Sequence, residues 1–339
     1  MANVDVASNA ITATYGGANL NEIFYEPVFR SDDLMRNYRV IPNVKHKMNV
    51  FTAAPLTKIV ESYDGCSASS GTKTFELGDK TITAGRCRVA LEQCWDAFEN
   101  TFIEESYRNG VDVMNMEGTQ VGDSIVRRAV EGIASDVLRL AWGGEVGGTT
   151  GYTAFDGWMK LMAAETVLTK SAGTAPLAAS PIAGDALSLI KTVYDSAPAA
   201  LQQVAAGNKK IFVTPKIFNA YLANTEGNSA DLAIVNQIDG MTKVGFRGVE
   251  LVPMYEWDTI LTDTNPDLFT SGAVEYNQGV CYVAVQNLII GSDVTDPEGS
   301  FKVFYDDLEE KMFFRGYFKL GVQYLFSSLT QWGIVTTAA

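Results

Sequence analysis

The stretch KMFFRGYFKLGVQYLF, residues 311–326, limits the architecture more than any other part of the chain. Read with a period of two, Met312, Phe314, Gly316, Phe318, Leu320, Val322, Tyr324 and Phe326 share one face, and Lys311, Arg315, Lys319 and Gln323 share the other. That alternation belongs to a β-strand with one buried face. Ordinary strands have about five or six residues, whereas this one runs to roughly 15 and spans on the order of 50 Å at about 3.3 Å per residue. A second rod lies upstream. In GDSIVRRAVEGIASDVLRLAWGG, Ile125, Val126, Ala129, Val130, Ile133, Ala134, Val137, Leu138 and Ala141 recur at helical spacing. They predict a helix of some five or six turns, about 30 Å long, with a wide apolar face, and Gly143-Gly144 marks its C-terminal stop.

The remaining elements are shorter. Residues 1–50 are weakly periodic, with Pro27, Pro42 and repeated Asn, and read as an extended arm rather than a packed unit. TKIVESY, KTFEL and KTIT within 57–90 read as strands, with Gly78-Asp79 as a two-residue hairpin turn because Gly accepts positive φ. Such a hairpin carries too few large apolar residues to own a core and has to lie on something else. In VALEQCWDAFENTFIEESYR, the spacing of Leu91, Cys94, Trp95, Phe98 and Phe102 predicts another amphipathic helix. Residues 181–253 read as α/β: DALSLIKTVYDSAPAALQQVA is helical with a break near Pro198, and KKIFV is a buried strand. Thr214-Pro215 opens a further helix. VGFRGVELVPM is strand again, with a bulge or turn at Gly248. From GVCYVAVQNLIIGSD through FKVFYDD to the long strand, an antiparallel series returns across turns near Pro297 and Asp306-Asp307.

Composition and motifs exclude more than they indicate. A net charge of −14 argues against a surface built to hold phosphate backbones, which needs clustered Lys and Arg; solubility through self-repulsion accounts for it. No run reaches the about 18 apolar residues of a membrane span, and the Asn-rich start lacks the regions of a signal peptide, so the expectation is a chain that works in or leaves from a cytosol without a membrane partner. Cys66, Cys87, Cys94 and Cys281 show no C-x-x-C pair and read as reduced and mostly buried. The sole histidine, His46, lacks partners for a zinc site or a Ser-His-Asp triad and reads as a solvated arm residue. GGEVGGTTG at 143–151 follows a helix and lacks the G-K-[ST] of a phosphate loop, which leaves a flexible connector. DVTDPEGS and YDDLEEK lack calcium-loop spacing and read as turns and solvated faces. No catalytic, cofactor or metal residue is therefore assigned.

The order of parts resembles the major capsid proteins of tailed bacteriophages, the Hong Kong 97-like fold, an α+β architecture. Under that resemblance residues 1–50 are the N-terminal arm and 51–90 the extended hairpin loop. Residues 91–180 are the peripheral domain with its spine helix at 120–143, ending on Trp142, Gly143 and Gly144. Residues 181–280, with KKIFVTPKIFNAYL and VGFRGVELVPM, are the axial α/β domain, and 281–339 are an axial strand returning to the peripheral sheet. A long helix laid along a long sheet gives the thin, stiff plate that a shell requires.

The resemblance implies hexamers and pentamers closing an icosahedral shell around double-stranded DNA held without sequence-specific binding, in a virion assembled in the host bacterial cytoplasm. It also implies portal and decoration proteins as partners. No charged helical segment precedes the arm, which favours a separate scaffolding protein. The expected intersubunit contacts are Ile23, Phe24, Tyr25, Val28 and Phe29 in the arm and Ile59, Phe75, Leu77 and Ile82 in the loop, the last group together with Val60 lying on a neighbour's spine region. Lys73 and Lys80 are the loop lysines to consider for the Lys-Asn cross-link that some relatives form. An encapsulin, which shares the fold but encloses an enzyme, is the alternative; a cytosolic acidic hydrolase using paired carboxylates distant in sequence is a weaker one.

Overall fold

The computed structural model describes residues 37–53, 77–94, 120–147, 152–164, 168–170, 183–227, 236–238, 241–262, 275–293, 301–306 and 311–337. Along the chain these begin with β1 (Arg39–Ile41), β2 (Lys47–Ala53), β3 (Leu77–Thr83) and β4 (Gly85–Cys94), followed by the long helix α1 (Gln120–Gly143) and the short α2 (Trp158–Ala164). Next come β5 (Leu168–Lys170), α3 (Ala183–Asp195), α4 (Ala199–Gln203), β6 (Lys209–Val213) and α5 (Pro215–Gly227). The small pair β7 (Asn236–Ile238) and β8 (Met241–Lys243) precedes β9 (Gly245–Phe246), β10 (Val249–Pro253) and α6 (Tyr255–Thr262). The chain then runs through β11 (Glu275–Ala284), β12 (Leu288–Ser292), β13 (Phe301–Asp306), β14 (Lys311–Tyr324) and β15 (Thr330–Thr337).

The long alternating run is β14, 14 residues of unbroken strand, and it forms the axis of a five-stranded sheet. One edge pairs with β4 over Lys311–Leu320; the other pairs with β13 over Lys311–Gly316 and with β12 over Leu320–Tyr324, all antiparallel. β1 lies parallel beyond β12. Phe314, Phe318, Leu320, Val322 and Tyr324 are buried as the alternation requires, whereas Arg315 and Tyr317 are exposed. Phe313 departs from the pattern: it is buried, with the Arg315 guanidinium 4.9 Å from its ring centroid.

A six-stranded sheet, in the order β5-β15-β11-β6-β10-β9, carries the α/β part. KKIFV is its buried strand β6, Thr214-Pro215 opens α5, and the helical stretch after Ala183 breaks at Pro198, all as the sequence predicts. Arg247 and Gly248 take φ of 48° and 81° in the tight turn between β9 and β10, so Gly248 is a turn and not a bulge. Leu189, Ile190 and Val193 of α3 and Ile217 and Tyr221 of α5 pack with Ile211, Val213, Val280 and Tyr282 of the sheet.

The two sheets share an aromatic core. Trp142 at the end of α1, Trp158 of α2 and Trp257 of α6 meet Phe212 and Trp332 of one sheet and Phe314, Phe318 and Tyr324 of the other. Tyr38 stacks on Trp158 at 5.0 Å and on Phe212 at 5.9 Å, and its hydroxyl accepts a 3.0 Å hydrogen bond from Trp142 Nε1. The chain passes from one sheet to the other after β4, after β11 and after β14, and buried Asn287 ties the last two crossings together: its Nδ2 donates to Phe326 O at 2.9 Å and its Oδ1 accepts from Phe326 N–H at 2.8 Å.

Several sequence expectations are corrected. Leu91 and Cys94 lie on strand β4, not on a helix, because their backbone pairs residue for residue with β14; Trp95, Phe98 and Phe102 lie outside the described residues. Gly78-Asp79 is not a turn, since β3 runs straight through it, paired with β2. Residues 37–50, read as extended arm rather than packed unit, are packed, for Tyr38 and Val44 are buried and β1 and β2 are laddered. Gly143 and Gly144 are packed rather than flexible: a Cβ on Gly143 would fall 2.6 Å from Ile260, and one on Gly144 would fall 2.5 Å from the Phe155 carbonyl. The long strand does not close the chain either, because β15 follows it and pairs with β11 in the other sheet.

Candidate assembly surface

The β2–β3 ladder stands beside the five-stranded sheet and is held to it through Lys80–Thr83. Opposite residues of an antiparallel pair share a face, so the register Met48↔Ile82, Val50↔Lys80 puts one side of the ladder toward the chain's own core. Ile82 is fully buried there with Val44, Ala84 and Ile289. The Lys80 ammonium lies 3.9 Å from the Tyr324 ring centroid, and Gln323 Nε2 donates to the Thr81 carbonyl at 3.0 Å. Gly321 permits this close approach, since a Cβ there would lie 2.4 Å from the Thr83 carbonyl. Gly321→Ala is therefore expected to cost about 1–3 kcal/mol through overpacking and to raise amide exchange across 77–83. An unchanged melting temperature and unchanged exchange would remove Gly321 as the anchor.

The other side of the ladder faces away from the chain. The register Asn49↔Thr81, Phe51↔Asp79, Ala53↔Leu77 places Phe51 and Leu77 there together, 75% and 70% exposed. Asn49 Oδ1 accepts from Thr81 Oγ1 at 3.0 Å, which stiffens that face. An apolar pair on a projecting ladder has no core of its own to enter.

A groove of about 560 Å³ opens between α1 and β4, lined by Cys87, Val89 and Leu91 of the strand, Ala129 and Ile133 of the helix, and Phe318. Leu91 stands 48% exposed in it. Burial pushes the Cys87 thiol up to about 12 and raises the fully buried Cys281 well above its ordinary range, so both remain thiols at neutral pH. Both are free, as the sequence reading expects. His46 is exposed, also as expected. Among the described residues no group of three or more His, Cys, Asp or Glu is placed to hold a metal ion, and no helix is long and apolar enough to cross a membrane.

Solved structures with this arrangement exist. The procapsid of satellite phage P4, which includes the size determination protein, matches with a TM-score of 0.57 at 10% identity, over 93% of this chain and 90% of that one. The capsid of a native GTA particle matches with a TM-score of 0.52 at 12% identity, over 90% of each chain. The fold is that of phage capsid proteins. The fold resemblance drawn from the sequence therefore holds. An encapsulin complex of Synechococcus elongatus also matches, with a TM-score of 0.48 at 10% identity, over 89% of this chain and 86% of that one. No protein-family model and no curated protein matches the sequence.

On this capsid fold the expected contact residues separate into groups. Leu77 stands exposed on the outer side of the ladder, whereas Ile82 is withdrawn into the chain's own core and is unavailable to a neighbour. Its position opposite Met48, on the side pinned against Gly291 and Val44, accounts for the difference. Lys80 is engaged with Tyr324 of the same chain. Ile23, Phe24, Tyr25, Val28, Phe29, Ile59, Val60, Lys73 and Phe75 lie outside the described residues. Phe51 and Met48 escape the sequence reading, because Met48 falls in the stretch read as arm and Phe51 at the first position of the stretch read as loop, so that the boundary cuts through one strand. The alternation in KMNVFTA carries the signal that finds them.

Proposed function

We propose that this chain is the major structural subunit of a tailed-phage capsid, a non-enzymatic protein that closes as hexamers and pentamers around double-stranded DNA. The observation that carries the reading is the likeness to two capsid structures over nine-tenths of both chains. In this reading α1 is the spine helix, the β2–β3 ladder is the base of the extended loop, and the six-stranded sheet is the axial domain. Residues 1–36 serve as the arm, lying over adjacent subunits with Ile23, Phe24, Tyr25, Val28 and Phe29. The loop of one subunit, with Ile59, Phe75 and Leu77, covers the α1–β4 region of the next, where the groove exposes Leu91. Scaffolding, portal and decoration proteins complete the assembly in the host cytoplasm.

Purified protein is expected to form hollow particles in negative-stain images, with nucleic acid recovered from the mature form. A monodisperse monomer would end the shell reading. Particles that yield a cargo protein instead of DNA would replace the phage capsid with an encapsulin.

A further inference from the structure

We propose that Asn37, Lys210 and Glu250 form an internal isopeptide site, at which the lysine amine displaces the side-chain nitrogen of the asparagine and ties the lead into β1 covalently to β6. The site uses neither Lys73 nor Lys80, lies within one chain, and goes beyond the capsid reading without resting on it. Register sets two of the three groups: Lys210 of β6 stands opposite Glu250 of β10 and, on its other side, Val283 of β11. The third is set by its neighbour, because Tyr38 stacks at 5.9 Å on Phe212, two residues along the same strand from Lys210. Asn37 and Lys210 are buried there, 8% and 4% exposed, and Lys210 Nζ donates to Asn37 Oδ1 at 2.5 Å. Glu250 Oε2 lies 3.4 Å from that nitrogen, on a side chain that keeps 27% of its surface open.

An amine 2.5 Å from Oδ1 lies no more than about 3.7 Å from Cγ, given a C=O bond of about 1.23 Å. Reacting atoms about 3–3.5 Å apart are in near-attack geometry, so a small shift completes the approach. The nucleophile is the free amine, and an adjacent base produces it; Glu250 is that base. Nζ attacks Cγ, the Cγ–Nδ2 bond breaks, and Nδ2 leaves with two protons that Glu250 passes on from Nζ. The products are one secondary amide and one ammonium ion, so atoms and charge balance and no oxidant is needed. Glu250 ends as the carboxylate it began as, and its partly exposed side chain connects the site to solvent. Burial of Asn37 and Lys210 keeps competing water from the carbonyl. Lys209, also buried, is the contrast on the same strand: its ammonium donates to the main-chain carbonyl of Gln202 at 3.0 Å, where displacement would cut the chain.

The test is intact-mass spectrometry of the purified full chain after incubation at neutral pH, followed by denaturation and trypsin digestion. The wild-type chain is expected to weigh less than its sequence by one ammonia. Its digest is expected to hold residues 37–39 attached to residues 210–216 as one branched peptide, with cleavage after Lys209 kept and cleavage after Lys210 lost. Lys210→Arg keeps the charge but has no amine to acylate and should show the full mass. Glu250→Gln keeps both reacting side chains and should form the branched peptide at least about a hundredfold more slowly, the usual contribution of a positioned acid–base group. The wild-type measurement decides the bond even where a variant fails to fold. Wild-type chain of full mass would overturn the proposal, and so would loss of ammonia without the branched peptide, which a cyclic imide at an asparagine produces. A branched peptide formed by Glu250→Gln at the wild-type rate would overturn the role of Glu250. The readout needs no particles, so a linked chain that never assembles would sink the capsid reading alone, and particles built from unlinked chains would sink this proposal alone.

Discussion

Ile133→Asp is expected to unfold the subunit. Ile133 is 6% exposed, one turn before Val137 on α1, and it belongs to the core that holds Phe314, Phe318, Leu320 and Val322 of the long strand. A carboxylate in that position enters a cluster whose described members are all uncharged. It must either be buried charged, at a cost of several kcal/mol, or take a proton and still strand its polar atoms. That loss is comparable to the whole stability of a typical domain, about 5–15 kcal/mol. Circular dichroism should show diminished helix and strand signal or a melting transition displaced below working temperature. The control is Asp136, which already sits exposed on the same helix, so Asp136→Asn should leave the fold unaltered. A native melting profile for Ile133→Asp would show that the helix does not pack on the sheet as described.

The elements that the sequence predicts correctly are the ones whose pattern is long. Fourteen alternating residues define β14, and apolar positions repeated over the 24 residues of α1 define the helix, because many side chains agree on the same period. Leu91 and Cys94 mislead for the opposite reason. Three-residue spacing suits a helix and puts the two side chains on opposite faces of a strand, but the decision belongs to β14, more than two hundred residues away, which offers β4 a full edge to pair with. Gly78-Asp79 shows the same override: a local turn signal yields to a continuous ladder with β2. Tyr38 hides in a weakly periodic stretch, since one aromatic stacking into a core formed by distant elements leaves no period to read. β15 is masked by its predecessor. TQWGIVTT is a plain strand sequence, but it follows the 3₁₀ turn at Ser327–Leu329, where the chain leaves one sheet for the other. The chemistry of the surface is the least legible part, because which side of the β2–β3 ladder faces outward depends on Ile82 finding Val44 and Ile289.

That orientation makes Phe51→Ser/Leu77→Ser the most informative change at the surface, and it is expected to leave the subunit folded while abolishing closed particles. Both side chains are largely exposed on the outward face of the ladder, 75% and 70%, so their removal takes almost nothing from the chain's own core. Substitutions at such sites usually alter stability by no more than about 0.5 kcal/mol. In an assembled shell the same pair would be covered by a neighbour, where burying a Phe or Leu side chain contributes about 1.5–3 kcal/mol. Only the associated state gains that energy, so its removal appears in assembly and not in the melting of the free subunit. A closed shell repeats the contact at every symmetry-related position, and a deficit that one interface would survive is multiplied around each ring of subunits. Circular dichroism and thermal melting of the double variant should match the wild type, while size-exclusion chromatography with light scattering should show monomers or small rings. Ile82→Ser serves as the contrast: it empties a buried site between Val44 and Ile289 and should lower the melting temperature of the subunit itself. Particles of normal mass and heat resistance from Phe51→Ser/Leu77→Ser would show that the exposed pair is solvent-facing in the shell and that closure rests on other contacts.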